Sequence, residues 1–225
     1  MPATHERGLL KETIQAPAID EPLQDQSLPD TIKTAQRQHL DIDCTHFISD
    51  EASGCEGNAL EFSRCVFERC TFSNWDWKRI SFVDCLFDHC DLSSLRLENV
   101  TCQRVRFVSC RLTGAEFLKA ALMNVQFECC TADYFALSES KTNRIAWVDC
   151  RLRESLWQDV KLKFASFERC DLTSAQIRYM PMEGLNMTTC TLDSLQIDPL
   201  DLRGMQVTAS QGLMFCSLLG LTIVD

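Results

Sequence analysis

Histidine is scarce in this 225-residue chain: His5, His39, His46 and His89 are the full set. Only His89 falls in the regular part of the sequence. The pattern there gives it an outward position with no nucleophile beside it, so a solvated surface group is expected. Histidine/glutamate pairs at metal-ligand spacing are missing, and the 8 glycines never cluster into a phosphate-cradling loop. These absences predict a protein that is not an enzyme and uses neither cofactor nor metal. Long apolar runs are also lacking. The longest, Gly212 to Val224, is too short to cross a bilayer. No early run has the length and basic flank of a secretory signal, so a soluble cytoplasmic protein is expected. Proline is thinly spread except at the start, where Pro2, Pro17, Pro22 and Pro29 fall within a polar stretch with little to bury. Residues 1–40 are therefore expected to form a flexible polar arm, with helix only near Asp30 to His39.

What the chain does have is a period. Every fifth residue from Phe62 to Val207 is apolar, with Thr142 the one polar member. A second apolar series runs two residues earlier, through Cys65, Cys70, Ile80, Cys85 and Cys90. Helices repeat at 3.6 residues and flat strands at 2, so a period of five belongs to neither. It describes a chain that turns a corner every five residues and sends two side chains inward each time. Four such sides close one square coil, which requires a second repeat at twenty. That repeat is present as Cys70, Cys90, Cys110, Cys130, Cys150, Cys170 and Cys190. Three residues before the first six stand Phe67, Phe87, Phe107, Phe127, Trp147 and Phe167. Coils stacked at the strand spacing of about 4.8 Å would place these residues in two columns. Seven and a half coils over residues 58–207 give a shaft about 36 Å long. Ser140, Thr142 and Ser155 interrupt the inward pattern within one coil, as a loose point of the stack or as hydroxyls bonded to the backbone.

The stretches Cys70-Thr71-Phe72, Cys90-Asp91-Leu92, Cys170-Asp171-Leu172 and Ala175-Gln176-Ile177 carry a resemblance to the pentapeptide-repeat family, over about residues 60–207. Cysteine stands here where that family prefers alanine. The resemblance implies an all-β fold, a right-handed quadrilateral β-helix with a short C-terminal capping helix and strand. Expected organisation is the arm at 1–40, the β-helix at 41–207 and a cap and dimerisation segment at 208–225. Ile42 and Phe47 keep a flickering register before residue 58, in an irregular first coil that must cover the open end.

Fourteen cysteines raise the question of disulfides or zinc. Ladder neighbours one strand spacing apart with parallel side chains are too far apart at Cβ for an unstrained bridge. A linear column also cannot converge on a tetrahedral ion. The column is read as small buried apolar side chains. Beyond Val207, apolar residues at Met214, Phe215, Leu218 and Leu219 predict a short amphipathic helix stopped by Gly220, with Leu221 to Val224 as a terminal strand. This tail is similar to the ending of the Qnr-type quinolone-resistance and microcin B17 immunity members of the family. That similarity implies a homodimer through Met214, Phe215, Leu218, Leu219, Leu221 and Ile223.

The same likeness implies a function. Qnr- and MfpA-like rods bind type II topoisomerases (DNA gyrase or topoisomerase IV) in place of DNA, and protect them from quinolones or toxins or inhibit them. A mimic of that kind must offer carboxylates to a basic groove. Net charge is −10, yet residues 58–207 hold 20 acidic and 18 basic residues, so most of the excess precedes the shaft. Glu68, Asp88, Glu128 and Glu168 recur at one outward position, with Asp149 nearby, and form the candidate partner-binding stripe. The wall of Phe62, Phe82 and Leu122 is basic instead, through Arg64, Arg104, Lys141, Arg144, Lys161, Lys163 and Arg203. The alternative is a rigid interaction scaffold, or an immunity factor for a partner other than a topoisomerase. Direct nucleic-acid binding is not expected of an acidic chain without exposed aromatic-basic interleaving.

Overall fold

The computed structural model describes residues 13–19, 23–52, 58–72 and 76–221. They form a β-solenoid of about 8 turns with two short helices. Strand pairing is parallel throughout, and every pair within the solenoid aligns residues twenty apart, such as Phe87 with Phe107 and Phe117 with Leu137. The first wall centres on Phe62 and Phe82, and the second on Phe67, Phe87, Phe107 and Phe127. Strands such as Ser81–Asp88, Thr101–Val108 and Ala121–Glu128 run through both, bending between them. The third wall is held by single bridges along Thr71, Asp91, Arg111, Thr131, Arg151 and Asp171. A seven-stranded sheet makes the fourth, centred on Trp77, Leu97, Phe117, Leu137, Trp157, Ile177 and Ile197.

The corners explain the period. At most of them, the residue two after the inward side chain takes positive φ, as at Arg64 (52°), Asp84 (54°), Arg104 (53°) and Asn124 (54°). The left-handed region costs an L-residue roughly 1–2 kcal/mol. Corner N–H groups still join the ladder: Arg64 donates to the Val83 carbonyl at 2.9 Å, and Ser94 to that of Thr113 at 2.9 Å. The turn therefore leaves no backbone donor stranded.

Inside, the second-wall rings lie one on another, with centroids 4.5 Å apart for Phe67–Phe87, 4.7 Å for Phe87–Phe107 and 4.7 Å for Phe107–Phe127. Trp147 continues the column, its ring 3.8 Å from that of Phe127. All seven ladder cysteines are buried. Cys90, Cys110 and Cys130 lie one above another, since the strands and bridges on either side of each pair in the twenty-residue register. No disulfide joins cysteines among the described residues, and burial pushes the Cys102 thiol up to about 12. Of the three hydroxyls that interrupt the inward pattern, two are bonded. Ser140 Oγ donates to the Ser138 carbonyl at 2.7 Å and accepts the Ala120 N–H at 2.9 Å, and Ser155 Oγ accepts the Trp157 indole N–H at 2.9 Å. Thr142 Oγ1 is buried without a partner. Leu162, twenty residues on, is only half-buried, so the packing is looser there than in the coils of Phe87 and Phe107.

Both described ends are covered. Part of the segment expected to be a flexible arm is packed: Leu28–Gln38 forms helix α1, with Leu28, Ile32 and Ala35 buried along one face. Spacings of four and three residues put these on a single stripe. Pro29 opens the helix, Asp30 and Arg37 suit its dipole, and His39 ends it at φ 53°. The Leu28 N–H donates to Asp50 Oδ2 at 2.7 Å, tying α1 to the first coil, and Gln24–Asp25 pairs with Thr45–His46. At the other end, Ala209–Phe215 forms helix α2, followed by a 3₁₀ turn over Cys216–Leu219 and Gly220 at φ 72°. Thr208 and Gln211 make a capping box. The strand expected from Leu221 falls, after its first residue, outside the described residues, as does Ile223; the Leu219 side chain is not described either. No helix among the described residues is long and apolar enough to cross a membrane.

Candidate interaction surfaces

The acidic stripe lies where its spacing placed it. Glu68 pairs in register with Asp88, and Glu128 and Glu168 follow on the same line, but Val108 and Val148 stand between them. Each carboxylate has a cationic or imidazole neighbour. Glu68 meets Arg69 and, at 3.3 Å, His46 Nε2, while His46 Nδ1 is 3.2 Å from Asp25. Asp88 Oδ1 lies 2.7 Å from His89 Nδ1, and Glu128 lies 2.8 Å from Arg106. Asp149 takes a two-pronged bond from Arg169 at 2.6 and 2.7 Å, which holds its carboxyl below the usual range, and Glu168 is 3.9 Å from the same guanidinium. Exposed pairs like these add little to stability, because water screens them. Their larger effect is to flatten the negative field of the stripe.

The first wall is organised around its corner column: Arg64, Asp84, Arg104, Asn124, Arg144 and Phe164. Arg64 pairs with Asp43 and reaches Cys44 Sγ at 3.1 Å. Arg104 grips Asp84 through both nitrogens at 2.6 Å, and this bond holds the Asp84 carboxyl below its ordinary value. Farther along, Arg144 and Lys163 stand over the exposed ring of Phe164, 5.6 and 5.2 Å from its centroid. The backbones of Lys141 and Lys161 form a parallel β-bridge between successive coils, which stacks the two residues. Among the described residues no carboxylate comes within 4.0 Å of the ammonium of Lys141, Lys161 or Lys163. Across the nearer half of this wall lies residues 13–19. The Ala18 N–H donates to Asp84 Oδ1 at 2.9 Å and the Gln15 N–H to Asn124 Oδ1 at 3.3 Å.

At the C-terminal end, Leu213, Met214, Leu218 and Leu221 are exposed, Leu221 by 58%. Phe215, expected at the same surface, packs partly against the core instead, because α2 turns that side toward the last coil. Tyr179 and Leu200 are exposed beside a shallow groove lined with Ile177 and Ile197. Gln211 carries the cap. Its amide nitrogen donates to the carbonyls of Met187 at 2.9 Å and Cys190 at 2.7 Å, and its oxygen accepts the Thr208 N–H at 2.8 Å. Sequence patterning passed over Gln211 because one polar residue in a short helix carries no periodic signal. Opposite charges twenty residues apart, such as Asp84/Arg104 and Asp149/Arg169, were a readable signal for the lateral pairs. His89 is exposed, as its position implied. Among the described residues no group of three histidine, cysteine, aspartate or glutamate side chains could hold a metal ion.

A family model described as pentapeptide repeat region matches residues 60–128 and 100–177. No curated protein matches the sequence. Among solved structures, a trypsin-treated form of QnrB1, a plasmid-mediated fluoroquinolone resistance protein, is 22% identical, with a TM-score of 0.43 over 82% of this chain and 90% of that one. Full-length QnrB1 is 16% identical, with a TM-score of 0.31 over 81% of this chain and 99% of that one. HetL, a pentapeptide-repeat protein involved in heterocyst differentiation regulation in the cyanobacterium Nostoc sp., is 12% identical, with a TM-score of 0.28 over 81% and 91% of the two chains.

Proposed function

Because this chain belongs to the pentapeptide-repeat family, we propose that it is a non-enzymatic cytoplasmic rod that binds a type II topoisomerase, DNA gyrase or topoisomerase IV, in place of DNA. Binding in that position would modulate the enzyme or protect it from quinolones or toxins. The observation that carries this reading is the stack of about 8 turns ending in an exposed apolar tip. At the strand spacing, 8 turns make a shaft about 38 Å long. Pairing two copies through Met214, Leu218 and Leu221 doubles it into a rigid, net-acidic rod. The contact assigned to the topoisomerase is the stripe of Glu68, Asp88, Glu128, Asp149 and Glu168.

A second reading is favoured by the pairing of those same carboxylates with Arg69, His89, Arg106 and Arg169. A neutralised stripe suits a rigid scaffold, or an immunity factor, for a partner that is not a topoisomerase. Adding purified protein to gyrase supercoiling and quinolone-cleavage assays decides between them. The first reading expects micromolar protein to inhibit supercoiling or relieve drug-stabilised cleavage, and expects Glu68, Asp88, Glu128 and Glu168 changed together to Lys to abolish the effect. No effect of the wild-type rod on either assay favours the scaffold. An effect that survives the fourfold change moves the contact to another wall.

A further inference from the structure

Corner residues of this shaft face solvent, with two exceptions. Among the described non-glycine residues with positive φ, only Asp84 and Asn124 are buried. They are also the two whose side chains accept main-chain N–H groups from Thr13–Ile19. The acceptors stand two coils apart, and the donors, Gln15 and Ala18, three residues apart. Two coils rise about 9.6 Å and three extended residues span about 10 Å, so an extended chain laid along the axis keeps step with the stack. Within the seated segment Ile14, Pro17 and Ile19 are half-buried, while Thr13, Gln15, Ala16 and Ala18 are exposed. Pro17 favours the extended conformation that this track requires.

We propose that the first wall is a docking site for an extended protein segment and that Thr13–Ile19 is its built-in occupant, which a partner must displace. The kind of partner follows from the track. One more step of three residues, in the direction from Ala18 to Gln15, crosses two further coils and brings a bound segment to the coil of Phe164. Lys141, Lys161 and Lys163 lie around that point. The segment recognised is therefore an extended acidic one, with main-chain donors for Asp84 and Asn124 and a carboxylate three residues ahead of the Asn124 contact. A tethered occupant competes at an effective concentration in the millimolar range, so an outside segment enters only when it binds more tightly than that. This site is independent of the acidic stripe and of any topoisomerase.

The test uses the full chain and a fluorescent octapeptide of sequence Glu-Thr-Ile-Gln-Ala-Pro-Ala-Ile. In wild-type protein the Gln15 and Ala18 amides are expected to exchange at least about tenfold more slowly than in the free peptide, as an occupied track requires. A double variant, Gln15→Pro with Ala18→Pro, deletes both donors and leaves the shaft untouched. It should bind the octapeptide at least about tenfold more tightly than wild type does, because intramolecular competition is removed. Adding Asn124→Ala should weaken that binding. Replacing the peptide's Glu by Lys should weaken it as well, by a margin that shrinks at high salt. Unprotected Gln15 and Ala18 amides in wild type would overturn the proposal. So would equal peptide binding by wild type and double variant, or no binding to the double variant at millimolar peptide. A Glu-to-Lys peptide that binds equally well would remove the acidic partner.

Discussion

The thiol of Cys110 donates to the carbonyl oxygen of Phe87 at 3.4 Å, one coil back and three residues short of the cysteine below. The same bond recurs from Cys90 to Phe67 at 3.2 Å, from Cys130 to Phe107 at 3.4 Å and from Cys170 to Trp147 at 3.4 Å. Sulfur and aromatic columns are thus stitched together across every coil boundary, and cysteine is a donor as well as a small filler. Cys110→Ala should cost about 1 kcal/mol, the net worth of one such bond. Cys110→Leu should cost about 2–3 kcal/mol, because Cys90 and Cys130 leave no room above or below. Denaturant unfolding of the two variants checks the order; an equal or reversed ranking would contradict it.

Reactivity should follow exposure. Cys129 is exposed, whereas Cys90, Cys110 and Cys130 are buried and bonded. An excess of thiol reagent on native protein, followed by peptide mapping, should place label on Cys129 and none on those three. Label on any of the three without unfolding would mean that the coil stack opens readily.

Thr142 is a flaw that can be repaired. Its side chain is buried between Leu122 and Leu162 in register, and its hydroxyl has no partner. Thr142→Val keeps the shape and removes an unsatisfied polar atom, which should stabilise the protein by about 1 kcal/mol. A lower melting temperature for the variant would show that the hydroxyl is satisfied in solution.

The Asp84–Arg104 pair predicts an acid-sensitive contribution. Asp84 is held below its ordinary carboxylate value of 3.8 by the Arg104 hydrogen bond, so its stabilisation is fully present above that value. As pH falls through the lower folded value, the carboxylate is protonated and the contribution is lost. Asp84→Asn should therefore destabilise the protein by about 2 kcal/mol at pH 7, and the difference should close as pH falls through the lowered folded value. A difference independent of pH would assign the loss to packing.

Two substitutions probe the C-terminal end differently. Gln211→Leu leaves the Met187 and Cys190 carbonyls without their donor and should cost about 2 kcal/mol while leaving assembly unchanged. On the proposed dimer, wild type should run as a dimer by light scattering, and Leu218→Asp or Leu221→Asp as a folded monomer. A monomeric wild type would refute the tail as an interface.

The walls were legible because burial repeats. Any residue at an inward position of one coil, such as Phe87, has an inward counterpart at Phe67 and Phe107, and a sum over many coils drowns local noise. Corner-to-corner pairs are legible in the same way once the twenty-residue offset is known, as Arg169 over Asp149 illustrates. Contacts made once in the molecule are not. Gln15 meets Asn124 across 109 positions, and Ala18 meets Asp84 across 66, separations with no relation to the repeat. α1 was half-visible: its caps and its Leu28/Ile32/Ala35 stripe are local features, but its burial depends on an open coil end that nothing within the helix announces. The stripe of carboxylates was found by spacing, while its neutralisation depends on arginine conformations that spacing does not specify.

The twenty-residue alignment of Phe67, Phe87, Phe107 and Phe127 also limits how this molecule can grow. One residue gained or lost within a wall would swing every later side chain off its inward bearing, and five would hand each later wall its neighbour's partners. Only whole circuits leave the storeys above undisturbed. Length here is quantised, and a longer relative of this rod should differ from it by complete floors.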